Sequence, residues 1–215
     1  MPLVPIDLPT PPQLRPRWAA LAAISAARSD GHACHADVPG VWRYDDGGGN
    51  WIELHQVSEG RAVLLGHDHE ASETYYGEAA SVFDQPETDL LAGAPAWWGP
   101  PVRRTLDGGA WVGFVYGFDG AAWQRADYTA EDGFGSIRFP ALGDEETLNW
   151  IYAQVEGFPG LPEAAQWDAA AGALIAADAE VTPAHITAVI GPQSDDPARW
   201  DTAAGVAAAH RFLTM

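Results

Sequence analysis

The chain has 215 residues, 47% of them hydrophobic and ten of them Trp. That is enough apolar matter for one domain, or a domain with an appended subdomain, and it excludes the disordered class despite 23 Gly and 17 Pro. Thirty acids oppose eleven basic residues, all of them Arg, for a net formal charge of −19, a sign that phosphate backbones repel and that excludes a nucleic-acid partner. A single cysteine, Cys34, excludes an internal disulfide. No apolar run reaches the ~18 residues that a membrane-spanning helix needs, so a cytoplasmic protein with no membrane partner is expected.

The leader "MPLVPIDLPTPPQLRP" is rich in proline and is expected to be extended. Trp18, Leu21 and Ile24 then recur at three-residue spacing, which predicts a helix over 17–29. Strands are predicted at 41–44, 51–57 and 61–67, joined by "DDGGGN" and "SEG". Residues 72–83 are expected to form a short helix with Ser72 as its N-cap. A second meander is predicted from "VRRTL", "AWVGFVYGF", "AAWQRADY" and "FGSIRFPAL". The pairs Asp107-Gly108, Asp119-Gly120 and Asp132-Gly133 would supply its turns, since both residue types tolerate positive φ. In its second strand Val112, Phe114, Tyr116 and Phe118 share one face, while Trp111, Gly113, Val115 and Gly117 share the other.

After Leu142 the apolar period changes from about two to about 3.6. Leu148, Ile151, Tyr152 and Val155 form a helical stripe behind an acidic first turn. A helix from Pro162 turns Trp167, Ala171, Leu174 and Ile175 inward. Thr182-Pro183 and Asp196-Pro197 open two more, over about 183–190 and 197–213. The expected class is α+β: an N-terminal helix, about seven antiparallel strands in a meander-type sheet, and a helical C-terminal third. A β-rich domain over 1–142 would carry the leader and the first helix, with a helical subdomain over 143–215 packed on it.

The segment "GHDHE" (66–70) concentrates metal-binding side chains. His67 and His69 on one strand would face the same way about 7 Å apart, close enough to share an ion. His55, predicted opposite Val63, would lie about 13 Å from His67 and could not join them. His32, Cys34 and His35 could supply further ligands only through an unspecified loop path. No standard zinc spacing is present, so no cofactor is expected, and a His67/His69 metal site in a small metal-dependent enzyme is the alternative. Cys34 between His32 and His35 lacks the distant-in-sequence base of known thiol nucleophiles. Glu145-Glu146 and Asp195-Asp196 sit at predicted helix starts, where the dipole accounts for them. Trp97-Trp98, adjacent and flanked by Gly and Pro, would point in opposite directions; either could anchor a partner.

The phrases "RAVLLGHDHEASETYYGEAA", "TDLLAGAPAWW" and "WVGFVYGFDGAAWQRADY" resemble a family of uncharacterised actinobacterial cytoplasmic proteins over about residues 40–140. That resemblance implies no assigned activity. In general character the chain is similar to bacterial immunity proteins, which neutralise cationic toxins by surface complementarity. The expected function is therefore a non-enzymatic protein-binding module for a basic partner, with a carbohydrate or small-ligand binder as a further alternative.

Overall fold

The computed structural model describes residues 2–28, 33–156, 161–191 and 200–213. Its class is α+β. The strands are β1 (Leu3–Ile6), β2 (Cys34–Val38), β3 (Val41–Asp45), β4 (Trp51–Val57), β5 (Arg61–His67), β6 (Phe114–Phe118) and β7 (Trp123–Ala126). The helices are α1 (Pro11–Ala27), α2 (Glu78–Val82), α3 (Gly99–Asp107), α4 (Phe134–Ile137), α5 (Asp144–Val155), α6 (Ala164–Ala176), α7 (Pro183–Ile190) and α8 (Thr202–His210). The sheet order is β1-β7-β6-β5-β4-β3-β2, a meander with the leader strand added at one edge. No described helix is long and apolar enough to cross a membrane.

Two compact units divide the chain. One comprises Met1–Thr10 with Arg43–Phe139, the other Pro11–Trp42 with Pro140–Met215. The break after Phe139 separates the β-rich part from the C-terminal helices, and α1 groups with those helices, not with the β-rich part. Its composition explains this. Trp18 to Ser25 are all buried, and a helix that is apolar all round must be enclosed by other elements. It packs against α5, α6 and α8. Gly205 of α8 lies so close that an added Cβ would meet the Ala23 carbonyl oxygen at 2.5 Å. Small residues on both helices permit that approach.

In the β-rich unit the predicted register of the first hairpin holds. His55 pairs with Val63 and Trp51 with His67. The Asp119-Gly120 turn joins β6 to β7, with the Ala121 and Ala122 amides donating to the Asp119 carboxylate at 2.8 and 2.9 Å. Phe114, Tyr116 and Phe118 are buried on one face of β6, as expected. The other face is buried too: Val115 joins a cluster with Val63, Leu65, Trp98 and Val102, and Val112, ahead of the strand, joins it as well. Gly117 shows why that face carries so little side chain, because a Cβ there would sit 2.0 Å from the Trp98 indole.

Several expectations are corrected. The leader is not wholly extended: β1 pairs antiparallel with β7, and α1 begins at Pro11. Prolines fit the first turn of a helix, where amide hydrogens have no intrahelical partner; Pro16 is the one that removes a bond. "VRRTL" is part of α3, opened by Gly99-Pro100-Pro101, with Val102 and Thr105 inward and Arg103 and Arg104 outward. "FGSIRFPAL" forms α4 and a 3-10 turn at Pro140–Leu142, since Pro140 cannot continue a ladder. The expected strand count is met instead by β1 and β2. Residues 72–83 contain only the short α2.

The helical unit follows the sequence more closely. Trp167, Ala171, Leu174 and Ile175 are buried. Thr182 caps α7 through a capping box with His185. Ile151 and Val155 face inward on α5, whereas Tyr152 is 47% exposed. The last helix starts at Thr202, capped by Asp201. The Asp195-Asp196 pair and the Pro197 start lie outside the described residues.

Candidate functional site

The segment that follows β5 builds a cleft. His67 is the last residue of the strand, and the chain then turns tightly. Asp68 makes that turn: its carboxylate, 3% exposed, accepts from the amides of Glu70 (2.9 Å) and Ala71 (2.8 Å). Ser72, expected as a helix cap, ties the turn down instead. Its hydroxyl accepts from the Asp68 amide at 3.0 Å and donates to the Asp132 carbonyl at 2.8 Å. Thr74 donates to the Gly113 carbonyl. His69 is held from outside by Asn50, whose side-chain oxygen accepts from the His69 amide at 3.0 Å and lies 2.9 Å from Nδ1.

The cleft encloses about 370 Å³. Its lining includes His67, His69 and Glu70 together with Tyr75, Phe83 and Trp111. The rings form a continuous series: Tyr75–Phe83 at 5.6 Å, Phe83–Trp111 at 4.7 Å and His67–Trp111 at 6.3 Å between centroids. Phe83 is 45% and Trp111 40% exposed. Burial pushes the His67 imidazole below its ordinary value; the Asp68 carboxylate opposes that fall and His69 adds to it.

His67 and His69 thus share one cleft, but the strand ends between them, so they are not the same-face pair that the alternation predicts. Among the described residues no group of three or more His, Cys, Asp or Glu is arranged to hold a metal ion. His55 lies four rungs from His67, as expected. His32 lies outside the described residues. The Cys34 thiol is buried, and burial pushes its pKa up, opposite to what a reactive thiolate requires. His35 faces Asp37 at 3.1 Å.

The tryptophan pair is divided. Trp98 is 1% exposed in the core cluster, which corrects its assignment as a surface anchor: its ring fills the space left by Gly117. Trp97 is half-buried beside it, with the Arg61 guanidinium 5.4 Å above its ring. Among the described residues three large aromatics are exposed: Tyr152 on α5, and Phe83 and Trp111, which the sequence did not single out. Phe83 ends α2, and Trp111 lies ahead of the strand to which its run was assigned. Phe83 carried one signal, the charge around it. Residues 62–102 hold seven acids and no arginine.

Two buried polar networks are structural. Glu53 accepts from Arg43 at 2.7 Å, His55 at 2.9 Å and Thr105 at 3.3 Å. Burial pushes its carboxyl up, but the bonds from His55 and Arg43 outweigh burial and hold it at about 2. Asp132 accepts from the hydroxyls of Tyr116 (2.6 Å) and Tyr128 (2.8 Å) and from the Phe134 amide (3.1 Å). Burial and that carboxylate push both phenols far up, so they stay protonated donors.

Compared with protein-family models, curated proteins and solved structures, the chain matches none.

Proposed function

We propose that the chain is a non-enzymatic, cytoplasmic binding module for a net-basic protein, an immunity-type inhibitor acting by surface complementarity. One observation carries this reading. Phe83 and Trp111, both large and exposed, touch at 4.7 Å beside a segment that bears acids and no arginine. Aromatic anchors at an interface centre supply most of the binding energy, while surrounding charge sets the encounter rate and rejects partners of the wrong sign. Val82, 57% exposed and adjacent to Phe83, widens the apolar contact. Glu73, Glu78 and Asp84 are exposed along the same stretch and supply the acidic rim. The anchors are thus Phe83 and Trp111.

The test is affinity capture from the source organism at low and high salt, followed by titration of the purified partner. The expected partner is net basic, and its affinity falls as salt rises. Phe83→Ala and Trp111→Ala should each cost about 1–4 kcal/mol of binding. An acidic partner, salt-insensitive binding, or two folded alanine variants of unchanged affinity would each reject the proposal.

A further inference from the structure

We propose that the cleft walled by Tyr75, Phe83 and Trp111 receives the guanidinium of an arginine side chain from the basic partner. This inference rests on the binding reading above and assigns the cleft its ligand chemistry.

The volume, about 370 Å³, is at the small end of ligand-sized clefts. It suits a single inserted side chain and excludes a helix or strand. Its one formal charge, a carboxylate, disfavours an anion. Glu70 borders it with a side chain 83% exposed, and no arginine lines it. A sugar needs several convergent hydroxyl partners, but the Ser72 and Thr74 hydroxyls already donate to the Asp132 and Gly113 carbonyls. The His67 and His69 imidazoles share the lining, His69 Nε2 lying 3.8 Å from the Glu70 carboxylate, and the Tyr75, Phe83 and Trp111 π faces together with that carboxylate favour a cation held over the rings. Guanidinium fits better than ammonium. It is planar, weakly hydrated and able to stack on aromatic faces while its edge donates to Glu70. The same chain makes such contacts internally, with Arg43 5.1 Å from the Trp51 ring centroid and Arg125 4.2 Å from that of Tyr128.

The probe is Nα-acetyl-arginine amide, with the isosteric but neutral Nα-acetyl-citrulline amide and Nα-acetyl-lysine amide as comparisons. Binding to the full chain is read from the Trp111 indole resonance in ¹H–¹⁵N spectra, assigned with Trp111→Phe. The expected result is a saturable shift with a dissociation constant of about 1–10 mM for the arginine probe, and binding about tenfold weaker or absent for citrulline. Glu70→Gln, at an exposed position that keeps the fold, should weaken the arginine probe about threefold or more. No saturable Trp111 shift, or equal binding of citrulline, overturns the proposal. Lysine binding as tightly as arginine overturns the choice of guanidinium. The two readings fail separately. A basic partner lost in Phe83→Ala while the arginine probe leaves Trp111 unmoved rejects the cleft assignment alone. Probe binding with no basic partner captured rejects the partner reading alone.

Discussion

At Glu53 a carboxylate is taken largely out of water and given three donors, so its ionised form is stabilised by the fold. Because a carboxylate only accepts, the His55 Nε2 facing it carries a proton. The folded carboxyl sits at about 2 against an ordinary 4.5. The sign follows. Stability from this group is fully present above pH 4.5 and is lost as pH falls through 2. Glu53→Gln should cost about 1–3 kcal/mol at neutral pH, the range for hydrogen bonds to a charged group. The gap between variant and parent should close on acidification, as measured by urea unfolding from pH 7 to pH 2.5. A gap that is constant with pH would mean that the bonds are structural but not charge-dependent. Gly117 is the steric counterpart. Its missing Cβ makes room for Trp98, so Gly117→Ala should destabilise by about 1–3 kcal/mol through overpacking. A melting point within a degree of the parent would show that the indole can move aside.

Phe83 owes its exposure to the end of α2. The Phe83 amide donates to Ala79 and the Gln85 amide to Ala80, while Asp84 sits at φ +52° between them, the pattern of a left-handed helix stop. A β-branched side chain resists that conformation. Asp84→Val should therefore cost about 1–2 kcal/mol, whereas Asp84→Gly should keep or raise the melting point. Equal melting of both variants would remove the cap as the reason for the turn. In β6 the reverse holds, since packing and not backbone conformation sets the cost. Phe114, 0% exposed, contacts Tyr116 and Phe134 at 5.2 Å each. Phe114→Ala should lose about 3–5 kcal/mol, read by chemical denaturation.

For the whole molecule, thirty acids against eleven arginines should give opposite salt responses in two measurements. Like charges on the compact chain repel, so raising NaCl from about 0.05 to 0.5 M should raise the melting temperature by screening. The same salt should weaken capture of a basic partner, which is attracted by the field that destabilises the free protein. If stability and capture both rise, the acidity does not serve recognition. Reductant should leave the melting temperature unchanged, because Cys34 is the sole cysteine.

Local pattern determined what a local pattern can carry. Alternation placed β3, β4 and β5, and the length of "SEG" set His55 opposite Val63. Asp119-Gly120 specified the β6–β7 hairpin, and a 3.6 period chose the inward residues of α6. The charge and the single cysteine were likewise settled before folding. Only the tertiary structure decided what covers each apolar face. Short segments such as Val102–Leu106 fit a strand or a helix equally by period, and the paired prolines before them tipped the balance. Trp97 and Trp98 are alike as neighbours in sequence, yet one is enclosed because Gly117 on a distant strand leaves it space. Phe83 and Trp111 lie in separate segments with no shared motif. Their contact arises where the turn after β5, the end of α2 and the approach to β6 converge, and a one-dimensional pattern does not record that convergence.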